Sequence, residues 1–318
     1  MSYKVAVIGA GNMGSEYIRV FRDRLDWEVV GLVSRSRESA ALMAADHGGL
    51  DVFGSVRELF EVAKPDVVIV AVPVNVTLKV LRRVWEFPWA CLVEKPPGRN
   101  LQEAIRLERE SRKAKGQTFV ALNRRFYESV TGVKEKFADD DGPRFIQLID
   151  QHSPVEALKA GTPREVAANW QFANAIHSVD LLRFLARGRV KRVTKSLWVG
   201  SQQNFVIEAN VNFSGGDRAA YTSYWNTPNT WSLSCSTPAR RVLLSPLERG
   251  FLQLEGERLV QELVLEGRDV VYKPGLSLMI DELTNLMSHS EHRLVGLSEG
   301  LKSMLLVERL FRTYRIIK

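Results

Sequence analysis

Cysteine is nearly absent: two of 318 residues, Cys91 and Cys235, standing far apart. No metal-ligand or redox spacing links them, so a zinc cluster, a CxxC couple and a disulfide framework are all excluded, and both read as reduced core thiols. Histidine is scarce too, with five residues, and no metal site is expected. No apolar run approaches the ~18 residues that a membrane-crossing helix needs. Met1-Ser2-Tyr3-Lys4 leads straight into a strand-like run, without the charged, apolar and small-residue regions of a secretory leader. A cytoplasmic location without a membrane partner is therefore expected. Low-complexity tracts and internal repeats are missing. The net charge of +7 is spread over Arg82-Arg83, Arg124-Arg125, Arg240-Arg241 and single positions. Without a basic tail or a basic stretch interleaved with aromatics, nucleic acid is not an expected partner. A mild positive field that attracts small anions is the simpler implication.

What is present is a strict alternation of strand and helix patterns through residue 122. Apolar runs at Tyr3 to Ile8, Glu28 to Val33, Asp66 to Val72, Ala90 to Val93 and Thr118 to Leu122 read as strands. Helical periodicity fills the gaps, at Asn12 to Leu25, Arg37 to Ala45, Val56 to Ala63, Val76 to Trp85 and Leu101 to Lys115. Ser55 and Glu58 read as a capping box before the third of these helices. The unbroken apolar strand before Pro73 suits a parallel sheet covered on both faces. The class is α/β, with a doubly wound parallel sheet over residues 1–122.

From residue 123 the style changes. Helices are expected at Phe126 to Phe137, Ala173 to Leu185 and about Glu299 to Tyr314, with an irregular excursion over residues 151–170. Successive strand patterns with turn signals run from Val190 to about Val271. Residues 123–318 thus read as an α+β domain with a large, mostly antiparallel open sheet.

The first strand ends in Gly9-Ala10-Gly11-Asn12-Met13-Gly14. This G-x-G-x-x-G follows a strand and opens an amphipathic helix, the context that gives the pattern meaning. Gly9 permits the tight turn, Gly11 lets backbone approach a pyrophosphate, and Gly14 lets helix and strand pack closely. Free N–H groups at the helix start suit a diphosphate. At the end of the second strand stands Ser34-Arg35-Ser36-Arg37. A carboxylate there would bond both ribose hydroxyls of NAD and repel a 2′-phosphate. A serine hydroxyl with the guanidinium groups of Arg35 and Arg37 favours NADP(H) over NAD(H). The competing reading makes Ser34 an N-cap and the arginines a solvated helix start.

Four stretches in order resemble the glucose–fructose oxidoreductase / inositol dehydrogenase / MocA family: Gly9 to Gly14, Glu94-Lys95-Pro96-Pro97, Ala121 to Phe126, and Ala175-Ile176-His177-Ser178-Val179-Asp180. The resemblance implies a Rossmann cofactor domain and hydride transfer between a nicotinamide and a hydroxyl-bearing carbon of a sugar, cyclitol or related small molecule. It implies a homodimer or homotetramer formed through the second sheet, and it makes Lys95–Pro96 a candidate cis peptide. It places Ala71, Pro73, Asn75, Glu94, Lys95, Pro96 and Asn123 with Asn12 and Met13 along the cofactor. Oxidising a secondary alcohol needs a base for the hydroxyl proton, a task that suits histidine. An ammonium beside the same oxygen stabilises a developing alkoxide. His177 and Lys95 are the candidates for these roles and are expected to meet at the site.

The chain departs from the family pattern at two points. Where many members carry an aspartate one turn before the histidine, Ala173 stands, and Asn174 is the polar residue close by. Asparagine can bond a substrate hydroxyl but cannot take a proton. Beyond Pro73, Thr77 replaces a frequent histidine, while Asn75 either positions the nucleotide or caps a helix. Arg124 and Arg125 are candidates for an anionic substrate group, against an interdomain ion pair. Trp170 is a candidate to stack on a sugar ring, against a buried core role, and Asp180 is expected to orient its helix or pair with Arg183. Two other readings stay open: a non-catalytic NADP-binding sensor, and a relative of the same fold with other chemistry, such as imine or tetrapyrrole reduction, or a redox-neutral lyase or glycosidase.

Overall fold

The computed structural model describes residues 2–200 and 204–312. The chain divides into two units, residues 1–123 with 270–301, and residues 124–269 with 302–318.

In the first unit the strands are β1 (Tyr3–Ile8), β2 (Trp27–Val33), β3 (Val52–Phe53), β4 (Val67–Val70), β5 (Ala90–Glu94) and β6 (Thr118–Ala121). They lie in the order β6-β5-β4-β1-β2-β3, all parallel, and the short strand Val295–Gly296 joins antiparallel beside β6. All four residues of β4 are buried, as the unbroken apolar run predicts for a central strand under helices on both faces. The strand order reverses between β1 and β4, and at such a point the carboxyl ends of neighbouring strands open a crevice.

Residues 270–301 do not follow the expected domain assignment. The helix Leu276–Met287 packs against the helix Asn12–Arg22. Trp27 Nε1 donates to Thr284 Oγ1 at 2.8 Å, Thr284 donates to Asp26 at 3.0 Å, and the Arg24 guanidinium bridges Asp26 and Asp281. These partners lie far upstream, so no local pattern in the sequence announces the return to the first unit.

The second unit carries β7 (Phe145–His152), β8 (Val190–Val199), β9 (Phe205–Phe213), β10 (Arg218–Trp225), β11 (Ser232–Ser236), β12 (Arg240–Leu244), β13 (Gly250–Leu254) and β14 (Gln261–Glu262). Their order is β14-β13-β12-β11-β7-β10-β9-β8. Only the β7–β10 pairing is parallel; the rest are antiparallel. Burial alternates along β7, β9 and β10, as a period of two requires of strands with one covered face. The helix Ile176–Leu185 packs on β7 from that face. β8 is the edge strand, with Leu197, Trp198 and Val199 exposed.

Several local expectations shift. The segment expected to be irregular contains the short helices Pro154–Lys159 and Arg164–Ala167. A 3₁₀ turn at Asn123–Phe126 precedes the helix Glu128–Lys136. The last helix is Leu297–Phe311; the expected end at Tyr314 lies outside the described residues. Cys91 and Cys235 are buried, and burial pushes both thiols up, Cys235 to about 12. Among the described residues no helix is long and apolar enough to cross a membrane.

Candidate active site

The glycine loop sits at the crevice. Gly9 has φ +125, and a Cβ there would lie 2.2 Å from the Ala71 carbonyl oxygen at the end of β4. A Cβ on Gly14 would lie 2.2 Å from the Gly9 oxygen, so helix and strand meet where only glycine fits. Around Gly11 the space is open: a Cβ there would meet nothing within 4 Å. Gly11 is the N-cap of the helix Asn12–Arg22, and no side chain caps it, which leaves the first N–H groups available to an anion. A dinucleotide diphosphate fits this cradle. Asn12 is exposed and Met13 half-buried beside it, and Ala71 and Pro73 follow β4.

Past β2, Ser36 and not Ser34 caps the helix Arg37–Asp46, its Oγ accepting from Ser39 N at 3.1 Å. Ser34 and Arg35 instead line a cavity of about 530 Å³ with Arg57, Arg83, Glu86 and Phe87. Arg57 lies 3.4 Å from Glu86, whereas Arg35 and Arg83 have no ion-pair partner among the described residues. Arg37 is exposed and does not line the cavity. Arg57 and Arg83 carry no mark in the sequence because they come from different helices. The Ser55–Glu58 cap forms only on one side: Ser55 Oγ accepts from Glu58 N, while the Glu58 carboxylate takes Gly54 N–H. Asn75 does not cap its helix either; Pro73 holds that position and Asn75 is an exposed residue of the first turn. Thr77 is buried and bonds back to the Pro73 carbonyl at 3.4 Å.

At the end of β5, Glu94 accepts from the Tyr17 hydroxyl at 2.8 Å. Burial pushes the Glu94 carboxyl up, opposed by Lys95, the Tyr17 bond and Lys273. Tyr17 is itself raised by burial and by the Glu94 charge. The glycine-loop helix therefore anchors the strand end that carries Lys95, a link invisible in the sequence. The Lys95–Pro96 peptide is cis. Asn123 Nδ2 donates to the Pro274 carbonyl at 2.9 Å, so it holds the returning segment by one end of its amide.

In the second unit the two adjacent arginines divide. Arg125 is committed to a buried, two-pronged pair with Asp180, at 2.5 and 2.6 Å. Asp180 also accepts from Ser303 at 2.6 Å, and Arg183 donates to that same hydroxyl, so Asp180 pairs with Arg125 and not with Arg183 as expected. Arg124 has no carboxylate partner among the described residues. Its guanidinium carbon lies 3.5 Å from the centre of the Trp231 ring. Its Nη1 is buried without a hydrogen-bond partner among the described residues. Burial lowers its pKa, against the pull of Tyr127, Asp150 and Glu248.

His177 is buried on the helix Ile176–Leu185. The preceding turn, Gln171–Ala175, is π-helical, a form that often marks functional positions. Trp170 stands at its start, with a buried Nε1 that has no hydrogen-bond partner among the described residues, and Gln171 Oε1 is in the same state. Asn174 Nδ2 lies 3.2 Å from Nδ1 of His152 on β7, a histidine that no sequence motif singles out. His152 Nε2 lies 3.0 Å from Asp150 Oδ2. Lys95 belongs to the first unit and His177 to the second. No cluster of three or more potential metal-binding side chains occurs among the described residues.

Residues 3–122 match the family described as oxidoreductase family, NAD-binding Rossmann fold (GFO_IDH_MocA). Residues 3–122 therefore resemble the cofactor domain of the Gfo/Idh/MocA oxidoreductase family. An inositol 2-dehydrogenase of Corynebacterium glutamicum is 24% identical over 194 residues, which cover 60% of this chain and 56% of the relative. The chain thus spans little more than half the length of that curated relative. Among solved structures, a dehydrogenase from Chromobacterium violaceum aligns with a TM-score of 0.82 at 19% identity, over 98% of this chain and 95% of that one. UDP-N-acetylglucosamine 3-dehydrogenase from Acidithiobacillus ferrooxidans aligns with a TM-score of 0.79 at 17% identity, over 100% and 98%. These likenesses show that the whole chain, second sheet included, shares its fold with these two solved structures.

Proposed function

We propose that the protein is an NADP(H)-dependent oxidoreductase that moves a hydride between the nicotinamide and a hydroxyl-bearing carbon of a sugar, cyclitol or related small molecule. The observation that carries the reading is the open cradle at Gly11 in the same unit as a cavity lined by Ser34, Arg35, Arg57 and Arg83. Backbone N–H groups from Gly11 to Gly14 bind the diphosphate, and the cavity takes the adenosine end. The paired guanidinium groups accept a 2′-phosphate, which an aspartate at position 34 would repel. Ala71, Pro73, Asn75, Glu94, Pro96 and Asn123 line the path toward the nicotinamide. The bound cofactor supplies a hydride acceptor or donor.

The chain's own residues manage the proton. His177 takes it from the substrate hydroxyl during oxidation and returns it during reduction. The Lys95 ammonium stabilises negative charge on the same oxygen, and Tyr17 through Glu94 fixes the strand end from which Lys95 extends. Asn174 orients the hydroxyl. Trp170 offers its ring face to the sugar and its Nε1–H to an oxygen. Arg124 supplies a sheltered cation for a carboxylate or phosphate on the substrate, and its unpartnered Nη1 supports that role. The exposed Leu197, Trp198 and Val199 on edge strand β8 support a homodimer or homotetramer through the second sheet.

A non-catalytic NADP-binding sensor is the second reading, favoured by Ala173 in place of a carboxylate. The two separate in one experiment. Purified protein is screened with NADP⁺ against paired acidic and neutral polyols, cyclitols and sugars, beside Lys95→Met. Turnover lost in the variant supports the enzyme. Tight NADPH binding with no turnover across the panel supports the sensor.

A further inference from the structure

The second unit buries a charged constellation that the reaction outlined above does not use. Asp150 and His152 stand two apart on β7, so their side chains share a face of the sheet. Both are fully buried, at 0% and 1% exposure. Asp150 Oδ2 accepts from the Tyr221 hydroxyl at 2.8 Å, and Oδ1 accepts from Ser223 at 2.6 Å. Ser223 in turn accepts from Trp225 Nε1 at 2.9 Å, which directs its own hydrogen to Asp150. Burial alone would push the Asp150 carboxyl up, but His152, Ser178 and Ser223 hold it below the usual range. A buried carboxylate of this kind gains little for stability compared with apolar packing of the same volume.

We propose that Asp150 and His152 form a positioning pair that sets the orientation of the Asn174 amide, in place of the carboxylate missing at position 173. The proposal rests on the reading of His177 as the base. An ionised Asp150 accepts only, so the ring nitrogen that faces it, Nε2 at 3.0 Å from Oδ2, carries a proton. That contact lies off the line of the N–H, so it is a close charge–dipole approach more than a straight hydrogen bond. Nδ1 faces the Asn174 amide nitrogen at 3.2 Å, a donor, so the geometry matches the Nε2–H tautomer, in which Nδ1 accepts. The opposite tautomer would set two donors against each other. Trp225 tilts against the ring at 4.7 Å and Trp231 meets it edge-on at 5.3 Å, so the imidazole is clamped. Asn174 is thereby fixed with its nitrogen toward His152 and its carbonyl oxygen free to accept from a substrate hydroxyl, three residues before His177. Other charged or titratable groups facing the pair are Arg124, stacked on Trp231, and Tyr221.

The test uses the full-length protein. With five histidines, the ring nitrogens are resolvable by ¹⁵N NMR, with His152 assigned by substitution. The expected result is a single Nε2–H tautomer for His152 that becomes mixed in Asp150→Asn. A dominant Nδ1–H tautomer, or no change in Asp150→Asn, overturns the proposal. Kinetics supply the second readout, on a substrate from the screen. His152→Asn keeps an acceptor near the position of Nδ1, while His152→Phe keeps the volume and the aromatic packing. The Asn variant is expected to retain kcat within about tenfold and the Phe variant to lose about 100-fold, with NADPH affinity unchanged in both. A core-filling role reverses that order and refutes the proposal. If the wild type turns over nothing, the oxidoreductase reading fails, and the tautomer measurement alone decides this one.

Discussion

The glycine-loop half and the His177-helix half solve the same problem, holding polar groups ready for a ligand, in opposite ways. In the first unit the open polar groups are backbone N–H dipoles at one strand-to-helix turn, and closely spaced glycines create the space. In the second, side chains from β7, β10, the segment before β11 and the π-helical turn converge: the buried Asp150 and Ser223 with the half-buried Trp231 and Asn174. Backbone dipoles cost little to leave facing water. Buried side-chain charges must be matched, and Arg125 with Asp180 is matched while Arg124 is not. The difference separates a backbone turn shaped by closely spaced glycines from a side-chain network assembled from several elements.

The largest effect expected is on Lys95. Lys95→Met should cut turnover by about 10³-fold and leave the NADPH dissociation constant within about twofold, as for a group that acts on developing charge. An unchanged kcat would remove Lys95, and with it the end of β5, from the reaction. Next comes Asp180→Asn, which strands the Arg125 guanidinium; denaturant unfolding should show a loss of about 3 kcal/mol. Arg124→Met should do the reverse, raising the unfolding free energy by about 1 kcal/mol, because the desolvation cost of a cation held by a ring stack and without a carboxylate partner among the described residues is removed. It should also weaken binding of the acidic member of each substrate pair far more than of the neutral one. Destabilisation by Arg124→Met would mean that the two arginines play the same structural role. The smallest effect is on the cofactor: Ser34→Asp should move the ratio of NADPH to NADH affinity about tenfold toward NADH, read by fluorescence titration.

The halves also differ in how far the sequence reveals them. The glycine loop, the Glu94-Lys95-Pro96 stretch and the parallel sheet are legible because each signal lies within one short segment, where strand, turn and helix periods report directly on structure. Arg57 and Arg83 are not, because a cavity wall drawn from two helices has no spacing rule. Tyr17 reads from its spacing only as an apolar face residue, although its hydroxyl reaches Glu94. Asp150 lies close to the end of β7, and the burial pattern of the strand continues through His152. Their alternation is a sequence signal, since polar residues at inward positions of a strand point to a buried network. The return of residues 270–301 to the first unit has no such signal, because its partners Arg24, Asp26 and Trp27 carry no mark of a distant strand or helix.

The most direct test of the central claim is a titration of the purified full-length protein with NADPH and, separately, NADH, following nicotinamide fluorescence. Micromolar NADPH binding with much weaker NADH binding is the predicted result. Equal affinities would contradict the role given to Ser34, Arg35, Arg57 and Arg83, and failure to bind either would contradict the oxidoreductase reading as a whole.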